Sequence, residues 1–152
     1  MNYREITYAR GWVVDKFVSV ELAINTVISQ NFFGRVDTNF VINILNNEQS
    51  FFAFKRNILI KSIDCDKFKK NIEDLHSLNR LRNIFSHASL RLRNEKSMED
   101  ENAVFDFNDP KKSDNILDAQ KLFDEFEVLY PIVLEWLIAI GKEKGITHII
   151  SE

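Results

Sequence analysis

The chain is short of the residues that interrupt helices, with 4 glycines and 2 prolines among 152 residues. That scarcity disfavours a turn-dense all-β architecture and favours long helices with few breaks. Cysteine is nearly absent. The lone Cys65 excludes an intramolecular disulfide and a cysteine zinc set, fits a reducing compartment, and reads as a small half-buried residue. A large charge of one sign is missing too. The formal net charge of -3 gives no whole-molecule attraction for nucleic acid, so any RNA or DNA contact must be local. Long hydrophobic runs are also lacking: the most apolar stretch, Tyr130 to Ile140, is too short to span a bilayer and carries Glu135. Met1-Asn2-Tyr3-Arg4-Glu5 has none of the basic, apolar and small-residue parts of a signal peptide. A soluble cytoplasmic protein with no membrane contact is expected.

What is plentiful is apolar material. A 45% hydrophobic content with 13 Phe suffices for a sizeable core, and one domain over 1–152 is the expectation. From Ile6 to about Phe32, apolar residues recur at three-and-four spacing through Ala9, Val13, Phe17, Val20, Ile24, Val27 and Ile28, which predicts a long first helix. Trp12, Val14, Val18 and Leu22 lie off that line, so a second packed surface, suited to a dimer face, is expected. Gly34 is placed to end this helix, and Asp37 or Thr38 to cap a short one carrying Phe40, Val41, Ile44 and Leu45. Ser50 is placed to cap a third helix with Phe51, Phe54, Ile58 and Ile60, whose Lys55, Arg56 and Lys61 read as a solvated face. A fourth helix follows Asp66, with Phe68, Ile72, Leu75, Leu78, Leu81 and Phe85 on its apolar side.

Beyond Ala88 the period changes. Leu90 and Leu92 alternate with Arg91 and Arg93, and Val104 and Phe107 flank Phe105-Asp106 beyond a polar stretch from Asn94 to Asn102. Asn108 to Asn115 reads as a turn, with Ser113 or Asp114 capping a final helix from about Ile116 to Ile140 that Pro131 kinks and Gly141 and Gly145 end. His148 falls in an apolar tail and reads as a packing or surface residue. The resulting fold class is all-α: an up-and-down bundle of four to five helices, with a short β-hairpin or a long loop between the fourth helix and the last.

The chemistry concentrates in Leu78-Asn79-Arg80-Leu81-Arg82-Asn83-Ile84-Phe85-Ser86-His87-Ala88. Arginine is a permanent, fork-shaped cation suited to phosphate, and histidine trades protons near neutral pH. At about 100° per residue, His76, Arg80, Asn83 and His87 fall in one polar stripe opposite the apolar one. Arg82 falls instead on the side expected to be covered. It therefore needs a carboxylate such as Glu21 or Asp15, or a place at a subunit edge, or a helix that loosens from Asn83 to Ser86. From His76 to Lys96, five Lys or Arg stand against the single acidic Glu95, a local excess able to track a phosphate backbone or simply to solubilise the segment. Glu73 and His76 have a spacing that can bind metal, but no second set accompanies them, so no metal and no cofactor is expected.

Arg82-Asn83-Ile84-Phe85-Ser86-His87 resembles the signature of HEPN domains (higher eukaryotes and prokaryotes nucleotide-binding), in which Arg is followed by a polar residue and, after four to six intervening residues, by His. The resemblance implies an all-α domain acting as a metal-independent endoribonuclease, with two copies of the motif facing each other across a homodimer cleft. His87 would then handle the proton of the ribose 2′-hydroxyl or of the leaving group, Arg82 would stabilise phosphate charge, and Asn83 would orient His87 or the phosphate. Arg80, His76, Arg91 and Arg93 would contact RNA. The family implies toxin-antitoxin or antiphage roles with an antitoxin or regulatory partner. A departure tempers one pairing: the modifiable Tyr that follows the motif in toxins partnered by minimal nucleotidyltransferases is Ser89 here. The other reading is a non-catalytic HEPN-like module that binds a nucleotide or protein, with Arg82 as a structural ion pair.

Overall fold

The computed structural model describes residues 1–46, 51–93 and 103–146, without the side chains of Ser113 and Asp114. It is mostly helical: α1 (Tyr3–Phe33), α2 (Thr38–Phe40) running into a π-helical turn (Val41–Leu45), α3 (Phe52–Lys61), α4 (Lys69–His87) and α5 (Ala119–Glu143). Between α4 and α5 lie β1 (Leu90–Leu92), β2 (Phe105–Asp109) and β3 (Lys112–Leu117), one antiparallel sheet in the order β1-β2-β3. Ser50, the stretch from Asn94 to Asn102 and His148 lie outside the described residues.

Two compact units are formed, Met1–Phe17 with His76–Tyr130 and Val18–Leu75 with Pro131–Glu152. In the first, Ile6, Val13, Phe17, Leu78, Leu81, Phe85, Phe107 and Phe126 are buried. Trp12, off the main stripe of α1, packs edge-on against Phe123 and Phe126 of α5 at centroid distances of 5.4 and 5.8 Å. Val14 and Val18 remain exposed, at 38% and 51%. In the second unit the core holds Val20, Ile24, Val27, Leu59, Leu75, Val133 and Leu137. The apolar line read in α1 is buried throughout, and that of the fourth helix is buried from Leu75 to Phe85, with Phe68 and Ile72 half-buried. Truncating one such Leu or Phe removes both transfer energy and packing, about 2–5 kcal/mol in general.

Helix ends follow local chemistry. Asn2 and Glu5 form a reciprocal capping box, the Glu5 N–H donating to Asn2 Oδ1 at 2.9 Å and the Asn2 N–H to Glu5 Oε2 at 2.7 Å. Gly34, at φ 65°, ends α1 with its N–H on the Gln30 carbonyl at 2.9 Å. Asp37 caps α2 by accepting the Phe40 N–H at 2.9 Å. After α5, Gly145 stands at φ 83°, with Gly145 N–H on Lys142 O and Ile146 N–H on Gly141 O, both at 3.0 Å, the paired bonds of a Schellman turn. Only glycine adopts that φ without a Cβ penalty, so Gly145→Ala is expected to cost about 1–2 kcal/mol, read as a fall in urea midpoint at unchanged slope.

Four sequence expectations are corrected here. Lys55 is not solvated: it is 3% exposed, and its Nζ lies 2.8 Å from Glu21 Oε2, because a buried ammonium must find a carboxylate. Cys65 is exposed, its thiol donating to the Ile60 carbonyl at 3.1 Å. Phe51, without a side-chain cap, precedes α3 in the cap position assigned to Ser50. The last helix begins at Ala119 rather than near Ile116, because residues 112–117 pair with β2, Phe107 opposite Leu117 and Asn108 opposite Ile116. The turn is correspondingly tighter, at Pro110 and Lys111, and α5 continues through Pro131.

Candidate functional site

The site is carried by the second half of α4. Its inner face is fixed by Leu78, Leu81 and Phe85, each 0% exposed. Phe85 meets the rings of Phe107 on β2 at 5.1 Å and Phe123 on α5 at 6.2 Å, both edge-on, a geometry that adds about 0.5–1.5 kcal/mol per pair beyond area burial. With that face anchored, the polar stripe points outward. His76, Arg80, Asn83 and His87 are all exposed.

Arg82 is half-buried, as its helical angle requires. The helix does not loosen to rescue it: α4 stays α-helical to His87, and the Ala88 N–H still donates to the Ile84 carbonyl at 2.9 Å. Instead the side chain spans the gap. Its guanidinium lies over the Phe17 ring at 5.3 Å, and its Nη1 donates to Asn83 Oδ1 at 2.9 Å. The Asn following the Arg thus links the covered guanidinium to the exposed stripe. Glu21, one carboxylate considered for Arg82, accepts from Lys55.

A cleft of about 250 Å³ opens beside the stripe, lined by His76, Asn79, Arg80, Asn83 and Ile84 of α4 and by Asp109, Pro110, Lys111 and Leu117 of the β2-β3 hairpin. The hairpin wall is shaped by Asp109, whose Oδ1 accepts the Lys111 N–H at 2.8 Å and whose Oδ2 accepts from Asn115 Nδ2 at 3.2 Å. These two donors, the Lys111 N–H foremost, hold the Asp109 carboxyl below its ordinary range. Arg80 meets Glu125 at 3.4 Å, both half-exposed, a pairing of the weak surface kind that yields readily to another anion.

The remaining sequence candidates divide. Arg91 is exposed on β1. Arg93, placed by sequence among the RNA contacts, holds a structural network: its guanidinium makes a two-pronged bond to the buried Asp106 and a further bond to Asp118 at 2.9 Å. The two carboxylates hold its pKa above the ordinary arginine value. Asp118 in turn caps α5 by accepting the Lys121 N–H at 3.1 Å. That N–H first, and Arg93 after it, keep the Asp118 carboxyl below its ordinary range. An unfolded chain lacks both donors and binds the proton at higher pH, so this group adds stability above the unfolded carboxylate value of about 4 and loses it as pH falls through the folded one. Asp118→Asn is accordingly expected to lower Tm at neutral pH, with the gap from wild type narrowing as pH falls below the ordinary carboxylate range.

Sequence reading missed two contributors. Arg10 donates from Nη2 to the carbonyl of Ala88, just past the end of α4, and lies over the Phe107 ring at 5.2 Å; a contact across 78 positions leaves no local signal. Asn79 flanks the stripe, and its half-buried side chain has an Oδ1 without a hydrogen-bond partner among the described residues. Ser89 is tied to the sheet, its Oγ accepting from Asn108 Nδ2 at 2.9 Å. Among the described residues, no group of three or more His, Cys, Asp and Glu is placed to hold a metal ion, and no helix is long and apolar enough to cross a membrane. No protein-family model matches the chain, and neither a curated protein nor a solved structure matches it.

Proposed function

We propose that the protein is a metal-independent endoribonuclease of the HEPN type, acting on RNA as a homodimer and serving as a toxin-antitoxin or antiphage effector under an antitoxin or regulatory protein. The observation that carries this reading is the Arg82-Asn83 bond beside an exposed His87: a fixed cation is drawn to the edge of the face on which the proton-transfer group stands. The reaction uses an internal nucleophile. His87 removes or returns a proton as the ribose 2′-oxygen attacks phosphorus, the P–O5′ bond breaks, and the 5′-oxygen leaves protonated. The products are a 2′,3′-cyclic phosphate and a 5′-hydroxyl. Arg82 stabilises charge on the phosphoryl oxygens and Asn83 holds Arg82 in place. Arg80, His76 and Arg91 supply weakly engaged or exposed groups along the RNA backbone, giving binding that weakens with salt. Because one helix presents one His87, a second copy facing it supplies the complementary acid or base.

The deciding experiment incubates the protein with mixed RNA in excess EDTA, beside His87→Ala and Arg82→Ala, and examines the new ends. Cyclic phosphate ends made by wild type alone support the proposal. Equal cleavage by all three, or none by wild type across salt and pH, removes it. The second outcome favours the non-catalytic binding module, a reading supported by the packing of Arg82 over Phe17.

A further inference from the structure

We infer that the cleft between α4 and the β2-β3 hairpin is a subsite for a single nucleobase of the RNA, an inference that rests on the RNA-cleaving reading of the same helix face. A nucleobase has two apolar faces and a polar edge, and the cleft offers the matching surfaces. Ile84, Leu117 and the Pro110 ring give apolar wall, while Asn79 and Asn83 give amides and Arg80 and Lys111 give cations. Its volume of about 250 Å³ lies just below the ~300 Å³ at which pockets for drug-sized ligands begin, which leaves room for one base. Sequence-specific RNA binding commonly captures single bases splayed out of the strand in this way.

Asn79 is the most informative lining residue. Its Oδ1 is shielded from solvent and has no hydrogen-bond partner among the described residues, a condition that costs about 1–3 kcal/mol in a folded protein. The last torsion of asparagine is broad, so the amide can turn its oxygen into the cleft. There it meets a base edge, since an amide carries a donor and an acceptor side by side and the Watson–Crick edge of every base carries the complementary pair. Asn83 lines the same cleft and accepts from Arg82. His87 stands one helical turn further along that face, so a base seated in the cleft sends its phosphate towards the Arg82-Asn83-His87 end. Arg80, whose pairing with Glu125 is of the weak surface kind, is available to that phosphate.

The test titrates AMP, GMP, CMP, UMP and ribose 5-phosphate into the intact protein, with wild type and Asn79→Leu compared by calorimetry and by the side-chain amide NMR signals. At least one nucleotide is expected to bind about tenfold more tightly than ribose 5-phosphate, moving the Asn79 and Asn83 amide signals while that of Asn31 stays. Asn79→Leu is expected to erase the advantage over ribose 5-phosphate while leaving Tm unchanged or higher, because an unmade buried bond is removed. Ribose 5-phosphate binding as well as every nucleotide, or unmoved Asn79 and Asn83 signals, overturns the subsite whatever the variant does. The two readings separate cleanly. Nucleotide binding without RNA cleavage keeps the subsite and removes the nuclease; RNA cleavage with the same rate and base preference in Asn79→Leu keeps the nuclease and removes the subsite.

Discussion

His87→Ala is expected to slow RNA cleavage by about 10²–10⁴-fold, the usual contribution of a positioned acid or base. The loss should appear without a loss of fold. His87 is exposed at the last position of α4, and the residue that anchors this turn from the opposite side is the buried Phe85. Circular dichroism and the unfolding midpoint of the variant should therefore match wild type while cyclic phosphate ends disappear. Arg82→Ala differs in kind, because its guanidinium also covers Phe17. It should lose both activity and some stability, and Asn83→Ala should approach it in activity by releasing the 2.9 Å bond to Arg82. Combining Arg82→Ala with Asn83→Ala should cost less than the product of the two single losses, since both act through one guanidinium. A variant lacking His87 that cuts RNA at the wild-type rate would defeat the assignment.

Arg93→Met is expected to be the most damaging change outside the hydrophobic core. It strands Asp106, which is 3% exposed and also accepts the buried Ala119 N–H at 3.3 Å. Removing one partner of a fully buried pair costs about 3–5 kcal/mol. Arg93 is itself 47% exposed, so water reaches the site and about 3 kcal/mol is the expected loss. For a chain of this size that lowers Tm by about 6–12 °C. Arg93→Lys should recover only part of it, since an ammonium cannot make the two-pronged bond to Asp106. Asp106→Asn with Arg93→Met should be more stable than Arg93→Met alone, because the stranded charge is gone. Arg93→Met as stable as wild type would mean that the network contributes nothing.

Much of the helical frame was legible in the chain. Ile6 to Ile28 and Leu75 to Phe85 carry the three-and-four period, and the residues on those lines are the buried ones, because helix burial repeats the period that sequence displays. For the region between α4 and α5 the alternation of Leu90 and Leu92 with arginines left a short β-hairpin and a long loop both open, and β1 pairs with β2. β3 was not legible. Lys112-Ser113-Asp114-Asn115 carries strong turn and capping residues, and only pairing with β2 makes it a strand, a case of tertiary context overriding local preference. In the site, the polar stripe followed from helical angle alone, and the cleft beside it did not. Asp109, Pro110 and Lys111 come to that stripe by the folding of a hairpin whose partner strand starts beyond an undescribed stretch. Lys55 and Arg93 mark the other limit: periodicity shows where a charge stands on its own element and says nothing of a distant carboxylate.

Arg10 bears on how the motif comes apart. The final turn of a helix ordinarily frays, since its last carbonyls lack partners and its amides open with little free energy. In α4 the carbonyl beyond that turn is held by a guanidinium 78 positions away, itself laid over Phe107 of the sheet. Opening the turn that bears His87 therefore means parting α1 from the sheet. Amide hydrogen exchange along Ile84 to Ala88 is therefore expected to follow subglobal opening rather than end fraying.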